Sequence, residues 1–301
     1  MPSNLNDGSK LPPRLKVYLH AGTLVDLPDD SVWPCLEGVE ALAFLKAAGF
    51  DGVQDGDPSQ CRRAGMGSVG SGRVDTTADA VLLARKMKAL GHEAATVHVG
   101  TGFEDDAEME ALTGAVLEAS ERETFPLYIE THRATITQDI WRTIQLVKRF
   151  PEIRFNGDFS HYYTGHELAK GDLSRKLRLM KPIFDRVRFM HGRIGNTGCV
   201  QVDVGDGTSP VLQAFGRHDF MAHFRTMWTC SMSGFLASAG PGDYLVFAPE
   251  LLSPAIYYGR QFRQPDGTLR QESDRYAQSL VLARMARECF EATKPNPGRG
   301  I

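Results

Sequence analysis

Leu127-Tyr128-Ile129-Glu130-Thr131-His132-Arg133 reads as a short buried β-strand that finishes on a carboxylate and an imidazole. Three later stretches repeat the design: Phe155-Asn156-Gly157-Asp158-Phe159-Ser160-His161, Arg188-Phe189-Met190-His191-Gly192-Arg193 and Val246-Phe247-Ala248-Pro249-Glu250. Side chains alternate along a strand, so residues two apart share a face. Tyr128, Glu130 and His132 then fall on one face, as do Asn156 with Asp158, Phe189 with His191 and Arg193, and Val246 with Ala248 and Glu250. Each run delivers a metal-competent side chain at its carboxyl end.

Working outward, the chain alternates strand and helix. Strands are expected at 15–20, 50–54, 94–99, 127–130, 153–158, 187–191 and 243–248, with a short glycine-rich one within 64–70. Helices are expected at 37–48, 76–90 (capped by Thr76 or Thr77 and ended by Gly91), 105–120, 138–150 (capped by Thr137), 173–185, 220–239 and 274–292 (capped by Ser273). The stretch 58–63 holds at most a turn or two of helix, and 194–218 and 251–272 read as long loops. A strand–helix repeat of roughly thirty residues indicates parallel strands joined by crossover helices. With 301 residues and eight units, the α/β architecture expected is a (β/α)8 TIM barrel over 14–301, with a shortened second helix and long loops after strands 7 and 8. An open doubly wound sheet is the alternative. Residues 1–13, polar with Gly and Pro, read as a flexible arm.

Composition narrows the function. The formal net charge of -3 carries no footprint of a nucleic-acid binder. Five scattered cysteines without CxxC spacing argue against a disulfide framework or a cysteine zinc site, and fit a reducing cytoplasm. No signal core and no membrane span is visible. The glycine-rich run 64–70 matches neither a P-loop nor a dinucleotide fingerprint and reads as a tight structural passage.

The chemistry concentrates on the four strand ends. Three carboxylates at one mouth repel each other without a cation, and three carboxylates with one imidazole suit Mn2+, Mg2+, Co2+ or Zn2+ with positions left for substrate oxygens. Any one such carboxylate alone is as readily a cap or an ion-pair partner. His98 and His20 also fall at strand ends and read as hydrogen-bonded wall residues. Trp33, Phe103, Phe159, Tyr257 and Tyr258 are candidates to cover a sugar face, or ordinary core aromatics.

Over about residues 15–292 the sequence resembles the xylose-isomerase-like TIM-barrel superfamily of sugar isomerases and epimerases, most closely its ketose 3-epimerase branch. The resemblance implies one divalent metal held by Glu130, Asp158, His191 and Glu250, with Glu130 and Glu250 as catalytic acid and base. It also implies substrate contacts from His161, which keeps the family's Asp-x-x-His spacing, and from Arg193, which follows His191 more closely than in that family. His132 and His98 complete the expected substrate-binding set. The implied reaction is isomerisation or epimerisation of a carbohydrate by proton transfer through a metal-stabilised enediolate. A lyase or hydrolase acting on a sugar derivative needs the same site. An endonuclease IV-like phosphodiesterase would need more histidines, and a non-catalytic sugar-binding barrel would not need both glutamates. The resemblance also implies a homodimer or homotetramer.

Overall fold

In the computed structural model, residues 4–208 and 219–294 are described. Segment 209–218 of the expected loop, residues 1–3, and the chain from 295 onward lie outside the described residues. The strands are β1 Leu5–Asn6, β2 Arg14–His20, β3 Gly52–Gln54, β4 Gly67–Val74, β5 Ala95–Val99, β6 Leu127–Glu130, β7 Phe155–Asn156, β8 Val187–Gly192, β9 Asp243–Pro249, β10 Gln261–Arg263 and β11 Leu269–Gln271. The helices are α1 Gly38–Ala47, α2 Pro58–Arg63, α3 Thr77–Leu90, α4 Asp106–Arg122, α5 Ile140–Arg149, α6 Phe159–Gly165, α7 Leu173–Phe184, α8 Phe220–Leu236 and α9 Arg275–Thr293. Strands β2 to β9 pair in parallel in chain order, and β9 pairs with both β8 and β2. The sheet is therefore a closed eight-stranded parallel barrel, the (β/α)8 architecture expected. Closure leaves no free edge in the barrel itself.

Alternation sorts the core into layers. Tyr18, Val69, Tyr128, Phe189, Val246 and Ala248 form a cluster inside the barrel. Val17, Leu19, Val97, Ile129, Met190 and Phe247, of opposite parity, pack in the clusters between sheet and helices. The consequence for the site is direct. Tyr128 lies two residues before Glu130, Phe189 two before His191, and Ala248 two before Glu250, so those polar side chains share the inward face one step nearer the mouth.

Several expectations change. The arm is tied down rather than free: Leu5 and Asn6 pair antiparallel with Tyr244 and Asp243. Leu5, 4% exposed, joins the interior cluster, and Asn4 bonds both Asp243 and Arg188. A single apolar residue in a polar run thus closes the barrel floor. The glycine-rich strand runs to Val74, further than expected, because Gly70 to Val74 pair with β5; Gly67 leaves room for Tyr18, whose hydroxyl donates to Glu93. Thr76 is the N-cap of α3, one of the two residues expected there, but at α5 and α9 the caps fall to aspartates and not to the hydroxyls expected. Asp139 caps α5 and Asp274 caps α9, while the Thr137 hydroxyl donates to the Glu130 carbonyl. Helix α6 was not expected at all, and β10 and β11 form a hairpin within the long loop after β9.

Gly234 on α8 sets how closely that helix packs. A Cβ there would meet the Asp185 Cα at 2.6 Å and the Phe184 carbonyl oxygen at 2.9 Å, both backbone atoms that cannot rotate away. Gly234→Ala is expected to lower stability to urea by about 1–3 kcal/mol. An unchanged unfolding midpoint would show that α8 has room to move.

Candidate active site

Glu130 ends β6, Asp158 follows β7, His191 lies in β8 and Glu250 follows β9. All four are buried, the most exposed being Glu250 at 8%. Ligand atoms of Glu130, Asp158 and His191 lie within 4.8 Å of one another. Glu250 falls outside that compact set, although its Oε2 is 3.3 Å from His191 Nδ1.

Local structure assigns each oxygen a direction. Asp158 is the N-cap of α6: its Oδ1 accepts from the Ser160 amide at 2.9 Å and the Ser160 hydroxyl at 2.6 Å. Only Oδ2 is left to face the site. Glu130 Oε2 accepts from Asn156 Nδ2 at 3.0 Å and lies 3.5 Å from His191 Nδ1, whereas Oε1 turns to His98 Nε2 at 3.1 Å. Asn156 reaches this position from a β7 whose register with β8 shifts between Phe155 and Asn156. Glu250 divides in the same way. Its Oε2 faces His191 and Arg193, and its Oε1 lies 3.5 Å from His20 Nε2.

His191 has the orientation a metal ligand needs. Its Nε2 lies 3.0 Å from Gln54 Oε1, and Gln54 Nε2 donates to the Thr96 hydroxyl, which fixes the amide so that Oε1 accepts. That leaves Nδ1 facing the carboxylate oxygens of Glu250, Glu130 and Asp158 at 3.3–3.9 Å, with the Asn156 Nδ2 beside it at 3.2 Å, and such an outer bond is how proteins set the ligating nitrogen of an imidazole. Three carboxylate oxygens and one directed nitrogen fit a divalent cation, with Glu130, Asp158 and His191 forming the compact part of the set. His98, Glu130 and His132 form a second compact group. There, however, His132 Nδ1 already accepts from the Ala134 amide, so this group is held by hydrogen bonds.

The electrostatics follow from burial and neighbours. Burial opposes charge on His191, but Glu250, Glu130 and Asp158 overcome it and hold its pKa up to about 9. Burial likewise opposes ionisation of Asp158, yet Arg193, His161 and His191 bring it down to about 2. Glu130, buried between His191 and His98, is held well below the usual carboxylate range. Burial dominates at His132, pushed down to about 4, and at His161, pushed well below the ordinary imidazole value.

The remaining expected residues take other positions. Arg193 is no open substrate ligand: its Nη2 donates to Asp158 Oδ2 at 2.5 Å and to Glu250 Oε2. His161 is fully buried under His132, at a ring separation of 3.9 Å, and neither of its nitrogens has a hydrogen-bond partner. His132 faces the Tyr258 hydroxyl at 3.3 Å, and it is His98 that contacts Glu130. Of the five aromatics named, only Tyr258 stands at the site. Phe103 and Tyr257 are exposed, Phe159 is core, and Trp33 packs on Phe44 and Tyr276. A cavity of about 140 Å3 opens beside the cluster, lined by His20, Gln54, Ser71, Gly72, Arg73, Thr96, His98, Glu130, His191 and Glu250. Gln54, Thr96 and the 71–73 segment were not assigned to the site from sequence; His20, read there as a hydrogen-bonded wall residue, lines the cavity. The available signal was their common place at or near the ends of β2 to β5.

No protein-family model matches the sequence, and no curated protein does. Solved structures give the class: the chain has the fold of the xylose isomerase-like TIM barrels. Among them are a xylose isomerase-like TIM-barrel protein from Mycobacterium smegmatis in complex with magnesium (12% identity, TM-score 0.51, 85% of this chain and 89% of that one) and the probable 3-DHS dehydratase AsbF, involved in petrobactin synthesis, from Bacillus anthracis (12% identity, TM-score 0.51, 93% and 100%). Among the described residues no helix is long and apolar enough to cross a membrane.

The raised pKa of His191 links to stability. An unfolded imidazole titrates near 6.5, so the stabilisation from charged His191 is complete below that pH. It is lost as pH climbs through the folded value of about 9. In chelator, the urea midpoint is therefore expected to fall between pH 6.5 and 9, and His191→Gln is expected to flatten the decline. Equal slopes in the two proteins would remove His191 as the cause.

Proposed function

We propose that the chain is a divalent-metal-dependent isomerase or epimerase of a small carbohydrate. The observation that carries this reading is the division of the two glutamates. Each turns one oxygen to His191 and the other to an imidazole, His98 for Glu130 and His20 for Glu250. Both line the same cavity, on either side of His191.

A divalent ion held by Glu130, Asp158 and His191 would supply Lewis acidity at a substrate carbonyl and acidify the neighbouring C–H. The chain's residues carry the protons. Glu130, kept ionised by His191 and His98, takes the proton from carbon as the C–H bond breaks, and the electron pair is delocalised onto the carbonyl oxygen. Glu250, having first taken a proton from solvent, delivers it to the opposite face of that carbon, which inverts the centre, and Glu130 then releases its proton to solvent; in the reverse direction the roles exchange. Return by Glu130 to the adjacent carbon gives isomerisation instead. Ser71 and Arg73 bring polar groups to the cavity wall that suit hydroxyls. At about 140 Å3 the cavity is well below the ~300–1,000 Å3 of drug-sized sites, which favours a short substrate.

Incubation of the Mn2+-loaded protein with ketoses and aldoses of three to six carbons in D2O is expected to place deuterium at the carbon next to the carbonyl. Glu130→Gln and Glu250→Gln should each slow this exchange by about 10²-fold or more. Absence of exchange across the panel, with metal bound, would overturn the proton-transfer reading. Elemental analysis of the purified chain is expected to give about one divalent metal per chain, lost in His191→Ala.

A further inference from the structure

The site contains a cation of its own. Arg193 follows His191 by two residues on the same strand path, and its side chain is 2% exposed. Its Nη2 contacts two carboxylate oxygens, Asp158 Oδ2 and Glu250 Oε2. These are the oxygens a metal would need. Asp158 Oδ1 is committed to Ser160 and Glu250 Oε1 faces His20, so Oδ2 and Oε2 are what these residues present toward His191. A guanidinium and a divalent ion cannot share both oxygens at bonding distance, because both are cations and would be brought within a few ångströms of each other in a buried site.

Two further features suit a guanidinium that moves. A structural arginine in a buried ion pair uses its planar fork on the carboxylate. Here a single nitrogen does all the pairing, while Nε and Nη1 are buried without hydrogen-bond partners. The Arg193 guanidinium carbon also lies 5.0 Å from the Tyr258 ring centroid, a face that receives a cation.

We propose that Arg193 is a resident counter-cation that competes with the divalent ion, so that ion binding displaces its Nη2 from Asp158 Oδ2 and Glu250 Oε2. The displaced guanidinium, with donors unpaired beside Tyr258, becomes available to substrate oxygens, which couples metal loading to substrate capture. The proposal rests on the reading that this site takes a divalent ion.

The test is Mn2+ binding to the metal-stripped full chain, followed by the electron paramagnetic resonance of free Mn2+, for the wild type and Arg193→Met. Methionine keeps an apolar stem and removes the charge. The affinity is expected to rise at least tenfold in Arg193→Met. Unchanged or weaker binding in the variant overturns the proposal while leaving the metal reading intact. Binding by the variant alone supports the competition and removes metal dependence from the native protein. Binding by neither overturns both. If Arg193→Met does not fold without metal, Arg193→Lys decides. Its smaller, single-nitrogen head holds the two carboxylates less well, so tighter Mn2+ binding than wild type supports the proposal, and equal or weaker binding overturns it.

Discussion

Three carboxylates held in one buried mouth are the constraint on which the rest of the site depends. A buried ionised group without partners is costly, and like charges placed together add to that cost. The structure meets it oxygen by oxygen. Glu130 is held by His98 and Asn156, Asp158 by Ser160 and Arg193, and Glu250 by Arg193 with His20 alongside. Each partner comes from a different element, so the mouth exists only when the barrel is closed. The short helix α6 follows from the same need: Asp158 caps it by accepting from the amide of Ser160, the second helical residue, and that bond holds one of its own oxygens.

The barrel supplies the geometry at little structural cost. Its interior is filled below the mouth by Tyr128, Phe189, Val246 and Ala248, and these same strands continue into Glu130, His191 and Glu250. Apolar packing thereby fixes the rotation of each strand, and the period of two then fixes where the polar end points. The opposite end is closed differently. Tyr18 bonds Glu93 at 2.6 Å, and Leu5 is drawn in from the amino terminus. Tyr18 and Leu5, both buried, thus fill the amino-terminal end of the barrel.

This division explains what the sequence revealed. Strand ends carrying Glu130, Asp158, His191 and Glu250 were legible because apolar runs mark the strands and parity marks the face. The barrel was legible because the strand–helix rhythm is regular. Gln54 and Thr96 were not, since a single polar residue in a strand has the same appearance whether it lines a cavity or binds a neighbour. The role of Arg193 was hidden for another reason: its partners Asp158 and Glu250 lie 35 and 57 positions away in the chain, and no local pattern links them. The caps at Asp139 and Asp274 were missed because a threonine or serine stood within two residues of each, and both residue types cap equally well in isolation.

The His191 ring is held so that its Nδ1 can change charge without the ring turning. Gln54 Oε1 accepts from Nε2, and Thr96 keeps the amide from turning over. Nε2 therefore carries a proton whether the ring is neutral or charged, and only Nδ1 is left to change. With a proton on Nδ1, the imidazolium faces three carboxylates and is stabilised by them, which is why its pKa lies near 9. With that proton lost, the same lone pair points at the same oxygens and makes them a ligand set. A divalent ion, if the site takes one, would compete with the proton for that nitrogen, whose direction is set by a neighbour outside the cluster. Either cation would offset the repulsion among the carboxylates with the ring left in place.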